Sequence, residues 1–392
     1  APTMPIIDGV ENFKGESFHT YNWPHDPVDL KGKRVGVLGT GATAVQIIAE
    51  IADKVDELTV FQRRPNWCAP LHNSKISDED QAKIHASYDD IFARCKETPG
   101  GFIHGPDRRK FDEVSEEDRL AFWEELYSSP GFGVWIGNFR DVLVEKHANA
   151  AFTEFIADKI RSRVNDPVTA EKLIPKDHGF GTRRVPLETR YYEAYNRDNV
   201  HLIDLNDTPI ERITPAGIKC SDKEYELDVI IYATGFDAIT GAFDRIEFTG
   251  VGGQKLSDKW YEGPITYLGL QTAGFPNLIT IAGPQGGSVS TNFPRGIEEA
   301  VDWATDLFRH LRSHGYTRVE PTQEAEEEWD AHVKKTYEYS LLTTTKSWFT
   351  GYNSNVENHD KLRYLIYNGG TPRYRQRLQQ VVADDYQGFA LR

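Results

Sequence analysis

Residues 33–52 read Lys33-Arg-Val-Gly-Val-Leu38, then Gly39-Thr40-Gly41-Ala42-Thr43-Ala44, then Val45-Gln-Ile-Ile-Ala-Glu-Ile-Ala52. The first block is a short buried strand, and the last carries apolar residues at helical spacing. Leu58-Thr-Val-Phe61 follows as a second strand. Strand, glycine turn, helix and strand make a βαβ unit, and such units build parallel sheets. The turn fits G-x-G-x-x-G/A, a weak pattern alone but specific when a strand leads into it and a helix leaves it. Gly39 permits the tight turn, and Gly41 lets the backbone amides of Thr40, Ala42 and Thr43 approach a pyrophosphate. Ala44 allows close helix–sheet packing. Gly131-Phe-Gly133 shows why context matters: it follows Ser-Ser-Pro, with no strand before it, and is rejected.

The end of the second strand selects the dinucleotide. A carboxylate there would hold the ribose 2′-hydroxyl of NAD, whereas arginine suits the 2′-phosphate of NADP. The chain has Gln62-Arg63-Arg64 and no acid, so NADP is preferred.

Outward from this unit, residues 1–32 are turn-rich, with Pro24, Pro27 and Gly32. From Ser74 to about Asp177 the texture is helical. Ser77 and Ser115, each followed by acids, suit helix N-termini, and Asp141 to Val164 has helical periodicity. Strands are expected at Val200–Ile203, Ile210–Ile213, Leu227–Ala233 and Leu278–Ile281, and a helix at Gly296–Leu311. Glu324 to Tyr339 reads as a helix whose charges form a solvated face. Ala233-Thr234-Gly235-Phe236-Asp237 closes a hydrophobic strand, facing either a ligand crevice or an ordinary strand exit. Ala282-Gly283-Pro284-Gln-Gly-Gly287, with Ser288, Ser290, Thr291 and Asn292 after it, offers backbone donors to an electron-rich ligand, or is simply a flexible loop.

The 392 residues, 39% hydrophobic and 27% charged, suffice for two or three domains of about 150 residues. A net charge of −15 argues against nucleic acid or an anionic membrane as partner. No apolar run approaches the ~20 residues needed to cross a bilayer. Cys68, Cys95 and Cys220 form no disulfide framework, so a reduced cytoplasmic location is expected. HExxH, paired CxxC, P-loop and GxSxG patterns are all missing, and no metal site is expected.

Phe13-Lys-Gly15-Glu-Ser-Phe-His19-Thr-Tyr-Asn-Trp23-Pro24 matches F-x-G-x-x-x-H-T-x-x-W-P and resembles the fingerprint of Baeyer–Villiger monooxygenases. The likeness continues through Phe61-Gln-Arg63, Phe180-Gly-Thr-Arg-Arg184, Tyr191-Tyr-Glu193, Tyr195–Asn199, Ala233–Asp237, Gly283-Pro284 and Ser347-Trp348, and so spans essentially the whole chain. The resemblance implies an enzyme using FAD, NADPH and O2 to convert ketones to esters or lactones through a C4a-peroxyflavin. It implies that Arg184 is the active-site arginine, holding the negative peroxyflavin and the oxyanion of the adduct. Arg183 stands where the family usually has lysine, beside Arg63 as a 2′-phosphate ligand. Trp348 resembles the tryptophan that contacts NADP, and His19 belongs to an interdomain linker with a positional role.

The family fold implied is α/β: a linker at 1–26, a doubly wound Rossmann-type NADP domain at 27–235 with a helical insertion at about 74–178, and the C-terminal part of an FAD-binding domain at 236–392. Two departures stand out. After Trp348 the chain reads Phe349-Thr-Gly351-Tyr-Asn-Ser-Asn-Val-Glu-Asn-His359, where many members have a GANIPGK-like stretch. Family members also carry a first GxGxxG, for FAD, well before the fingerprint, and here 12 residues precede Phe13. With its opening Ala1-Pro2-Thr3-Met4-Pro5, the chain is expected to be the larger C-terminal part of a longer enzyme. Its FAD-binding beginning would then be a partner beside the ketone substrate and O2, and the acid that the resemblance pairs with the active-site arginine would be lost with that beginning. Two other readings remain: an N- or S-oxidising flavin monooxygenase, favoured less by Thr20 and Trp23-Pro24, and an NADP-binding module without catalysis.

Overall fold

The computed structural model describes the backbone of all 392 residues and the side chains of all but Val289 and Ser290. The chain forms two compact units. The first comprises Ala1–Asn73, Tyr127–Trp135 and Lys146–Phe236; the second comprises Ser74–Leu126, Ile136–Glu145 and Asp237–Arg392.

The first unit is built on five parallel strands: β1 (Glu16–His19), β2 (Arg34–Leu38), β3 (Glu57–Gln62), β4 (Val200–Asp204) and β5 (Val229–Tyr232). Their order across the sheet is β1-β5-β2-β3-β4. β2 and β5 are buried on both faces apart from Arg34, as the apolar runs around Val37 and Ile230 require of central parallel strands. Helix α1 (Ala42–Ile51) buries Ala44, Val45, Ile48 and Ile51, one stripe at helical spacing. An antiparallel meander of Ile210–Thr214, Gly217–Cys220 and Glu224–Glu226 adds Ile213, Ile218 and Cys220 to a core with Leu38, Phe61 and Ile230.

The segment expected as a linker contributes a strand of this sheet. β1 pairs residue by residue with β5, Glu16 opposite Val229 and His19 opposite Tyr232. Phe13 packs on the core cluster. Gly15 passes so close to the carbonyl of Asp228 that a Cβ would lie 2.4 Å from it. The fingerprint is thus a folding element as well as a signature.

In the expected insertion, Ser77 and Ser115 accept from the amides of Asp80 and Asp118 at 3.1 and 3.2 Å, so both are N-caps. Residues 74–126 and 136–145 belong to the second unit, whereas 146–178 belong to the first. The helix within Asp141–Val164 begins only at Lys146. Asp141 instead turns its carboxylate to the Phe111 amide at 3.0 Å.

The second unit holds a 22-residue helix, Phe293–His314, longer at both ends than its periodicity predicts. Gly296, Ala300, Trp303, Ala304, Leu307 and Leu311 form its buried stripe, and Gly315 ends it at φ 72°. Two expectations fail here. Leu278–Ile281 is not a strand: Asn277 (φ 63°) and Ala282 (φ 57°) bound it, and its backbone bonds are isolated or turn-like, Thr280 N to Leu270 O at 2.8 Å and Leu278 N to Phe275 O at 3.4 Å, with no ladder partner among the described residues. Nor is the charge run of Gln323–Glu338 wholly solvated. Glu326 and Asp330 are buried and paired, Glu326 with Lys259 at 2.7 Å and Asp330 with Lys334 at 2.6 Å. No described helix is long and apolar enough to cross a membrane, and no cluster of three or more metal-ligating side chains occurs among the described residues.

Candidate active site

The carboxyl ends of β2, β3 and β5 lie on one edge of the sheet, where an open α/β sheet binds ligands. Gly39 leaves β2 at φ 109°, and a Cβ there would stand 2.6 Å from the carbonyl of Ala233, just beyond β5. Gly41 is different. Its φ of −77° suits any residue, and a Cβ would meet nothing within 4 Å. Its bare face is open toward the N-terminus of α1. The first backbone bond of that helix runs from Val45 to Gly41, so the amides of Ala42, Thr43 and Ala44 find no helical carbonyl. No side chain caps them. Amides, positive helix end and open space together fit a pyrophosphate.

Thr40 has another task than cofactor contact through its side chain. It is buried, and its hydroxyl donates to the carbonyl of Arg64 at 2.7 Å, fastening the glycine turn to the exit of β3. Arg63 and Arg64 follow that exit, exposed by area. Arg183 approaches from a separate loop and donates to Asp177 at 3.3 Å. Burial, Arg64 and Arg63 all pull the Arg183 guanidinium below its usual value, though Asp177 opposes this. Arg183 Nε is buried without a partner. Guanidiniums suit a doubly charged anion through charge and planar bidentate geometry.

Arg184, next in the chain, has a separate environment. Its guanidinium lies over the rings of Phe132 and Trp135, 4.9 and 5.4 Å from their centroids. Trp135 is held by its indole N–H donating to Gly181 O at 3.3 Å. Burial lowers the arginine's proton affinity, and no charged group of the described residues offsets it. Phe132 and Trp135 were not anticipated. The Gly131-Phe-Gly133 turn matters because it carries the first of them.

At the exit of β5, Thr234 donates its hydroxyl to Thr3 O at 2.6 Å, and the Thr3 amide donates to Gly235 O at 3.1 Å. His19 reaches the same carbonyl from Nε2 at 3.1 Å, while its Nδ1 accepts from the Tyr21 amide at 3.1 Å. That pattern requires the neutral Nε2–H tautomer, and burial lowers the imidazole's proton affinity. With both nitrogens engaged, His19 positions the turn. Trp23 packs edge-on against Phe18, at 4.8 Å between centroids, with Pro24 exposed beside it.

Gly283, Pro284 and Trp348 belong to the second unit. Their loop is not flexible in character. Gln285, wholly buried, donates to Asp330 at 2.7 Å and accepts from the Thr266 amide at 3.0 Å. Trp329 donates to its carbonyl at 3.2 Å. A Cβ on Gly283 would lie 2.5 Å from Gly269 O, so only glycine fits. Thr291 donates to Gly287 O at 3.0 Å, whereas the side chain of Ser290 lies outside the described residues. Trp348 opens a short helical turn capped by Ser347, its ring 4.3 Å from that of Phe349.

The departing stretch 349–359 is tied down from below. Arg363, 4% exposed, donates from Nη1 to His359 Nε2 and from its backbone to Thr350 O at 3.0 Å. His359 turns Nδ1 toward Asp237 at 3.5 Å.

Comparison with known proteins bears directly on this arrangement. The family described as "Flavin-binding monooxygenase-like" matches residues 2–79. The chain is 48% identical, over all of its own length and 73% of the relative's, to 2-oxo-Δ3-4,5,5-trimethylcyclopentenylacetyl-CoA monooxygenase of Pseudomonas putida. The chain belongs to the Baeyer–Villiger monooxygenases. Cyclopentanone 1,2-monooxygenase of a Comamonas species is 38% identical across the whole chain and 71% of that enzyme. The crystal structure of OTEMO in complex with FAD and NADP superposes with a TM-score of 0.95 at 48% identity, covering all of this chain and 73% of that one.

Proposed function

We propose that this chain oxidises ketones to esters or lactones with NADPH and O2, with Arg184 as its catalytic residue. The observation that carries the assignment is Arg184 itself, a half-buried cation over two aromatic faces with no carboxylate partner among the described residues. Its charge is therefore available to oxygen atoms that become negative during the reaction. Even with its proton affinity lowered by burial, a guanidinium stays protonated at working pH, so Arg184 stabilises an anion without giving it a proton. Phe132 and Trp135 shield one side from water, strengthening that attraction.

NADPH would be bound by the first unit. The open amides at Ala42, Thr43 and Ala44 take the pyrophosphate, and Arg63, Arg64 and Arg183 take the 2′-phosphate. Thr40 and His19 hold the two strand exits that shape this edge. Gly283, Pro284 and the clamped Gln285 loop would contribute to holding FAD, and Trp348 to contacting NADP. When bound, FAD supplies the oxygen-activating redox chemistry. The three cysteines are unpaired and buried, which supports a reduced, cytoplasmic setting.

The test is direct. The purified chain with FAD, NADPH, 18O2 and cyclopentanone should yield labelled δ-valerolactone. NADPH oxidation giving hydrogen peroxide alone, with cyclic and aromatic ketones untouched, would overturn the proposal. Formation of N- or S-oxides alone would replace it with the heteroatom-oxidising alternative.

A further inference from the structure

Beside Arg183 and Arg64 lies a carboxylate that a pure phosphate site would avoid. Asp177 Oδ2 accepts from Arg183 Nη2 at 3.3 Å, and Oδ1 accepts from Nδ1 of His178 at 2.6 Å. His178 is the anchor. Its side chain has no solvent exposure, its own carbonyl accepts from the indole of the buried Trp67 at 2.9 Å, and its Nε2 is buried without a partner. A short bond from so fixed a ring prevents the carboxylate from swinging away. Asp177 itself is 46% exposed, so one side of the carboxylate faces solvent beside Arg64 and Arg183.

We infer that Asp177 is a specificity-determining residue that narrows the preference for NADPH over NADH, accepting a ribose 2′-hydroxyl and repelling a 2′-phosphate from the same position. The inference rests on the reading of Arg63, Arg64 and Arg183 as the 2′-phosphate site. Where a dinucleotide fold discriminates by charge, acid selects the hydroxyl and arginine the phosphate. This site carries both, on one guanidinium. A phosphate bound to the free edge of Arg183 and a carboxylate on its other edge would sit roughly 5 Å apart, close enough at water-like screening to weaken binding about fourfold for each unit of phosphate charge. A ribose hydroxyl meets no such repulsion and gains an acceptor. Both effects work in the same direction, so removing the charge raises discrimination twice over.

The experiment measures binding of 2′,5′-ADP and 5′-AMP to the full chain by calorimetry, and repeats it with NADP+ and NAD+. These pairs differ only in the 2′-phosphate. Asp177→Asn should widen the affinity ratio by about five- to tenfold, with 2′,5′-ADP tighter and 5′-AMP weaker. Asp177→Ser, which shortens the side chain as well, should widen it too, and thermal melting checks that each variant is folded. A ratio that narrows would show that Asp177 merely holds Arg183 in place, and an unchanged ratio would show that it does nothing to selection. Either sinks the inference while leaving NADPH binding intact. If the unaltered chain bound 2′,5′-ADP no better than 5′-AMP, the cofactor reading would fall and the inference with it.

Discussion

The guanidinium of Arg184 rests over the ring of Phe132, its central carbon 4.9 Å from the ring centroid. The ring's negative face keeps the cation in place without neutralising it, which a carboxylate would do. A cation–π contact of this kind is worth about 0.5–2 kcal/mol. Phe132→Leu keeps an apolar side chain and removes the face. Ketone turnover should fall by about 3- to 30-fold, with more hydrogen peroxide released per NADPH, while the melting temperature changes little. Unaltered coupling of NADPH to product would refute the role.

The two glycines of the turn should separate stability from binding. At Gly39, φ is 109° and a Cβ would press on Ala233 O at 2.6 Å. Gly39→Ala should therefore destabilise the fold by at least about 1–3 kcal/mol, read in urea unfolding. Gly41→Ala meets no protein atom, so melting should be unchanged while NADP+ affinity falls by about tenfold, the equivalent of ~1.4 kcal/mol. A Gly41→Ala variant that binds NADP+ normally would move the pyrophosphate elsewhere.

His359 sets a direction for acid stability. Its Nε2 accepts from Arg363, so the ring must be neutral, and burial together with that neighbouring cation lowers its pKa from 6.5 to about 4. A histidine that protonates more readily unfolded than folded contributes stability above pH 6.5, lost as pH falls toward about 4. Burial lowers His178, His19, His104 and His332 as well, adding to the same slope. Burial raises Asp237 and Asp244, which offsets part of it at the acid end. Urea midpoints at pH 7 and 4.5 should differ less in His359→Gln than in the unaltered chain. An identical pH slope would remove His359 from the account.

Arg363 is the buried cation beside His359, and its guanidinium donates to His359 Nε2 and to Trp260 O at 3.4 Å. Leaving a buried acceptor without its donor costs about 1–3 kcal/mol. Arg363→Met should lower the melting temperature markedly and speed tryptic cleavage after Lys361, since the side-chain bonds that hold stretch 349–363 to His359 and Trp260 are lost. A melting point within a degree of the unaltered chain would contradict this.

Much of the fold was written in local pattern. Val37 and Ile230 lie in apolar runs of the length buried parallel strands need, and Gly39 to Ala44 carries its own backbone instructions. Ser77 and Ser115 announced their helices because capping is decided within four residues. Where pairing is non-local, pattern misled. Glu16–His19 reads as linker because only β5, more than two hundred residues on, makes it a strand. Leu278–Ile281 has a strand's composition and no neighbour to ladder with.

The candidate site divides along the same line. By itself the sequence determined the dinucleotide turn, the arginines at the exit of β3 and the family fingerprint, since each depends on spacing along one stretch of chain. Only the tertiary structure decided that Phe132 and Trp135 lie against Arg184, that Asp177 turns back onto Arg183, and that Asp330 clamps Gln285. The reason is physical. The charge and water exclusion that govern a side chain's chemistry fall off over a few ångströms in space, and folding brings within that range residues that the sequence keeps far apart.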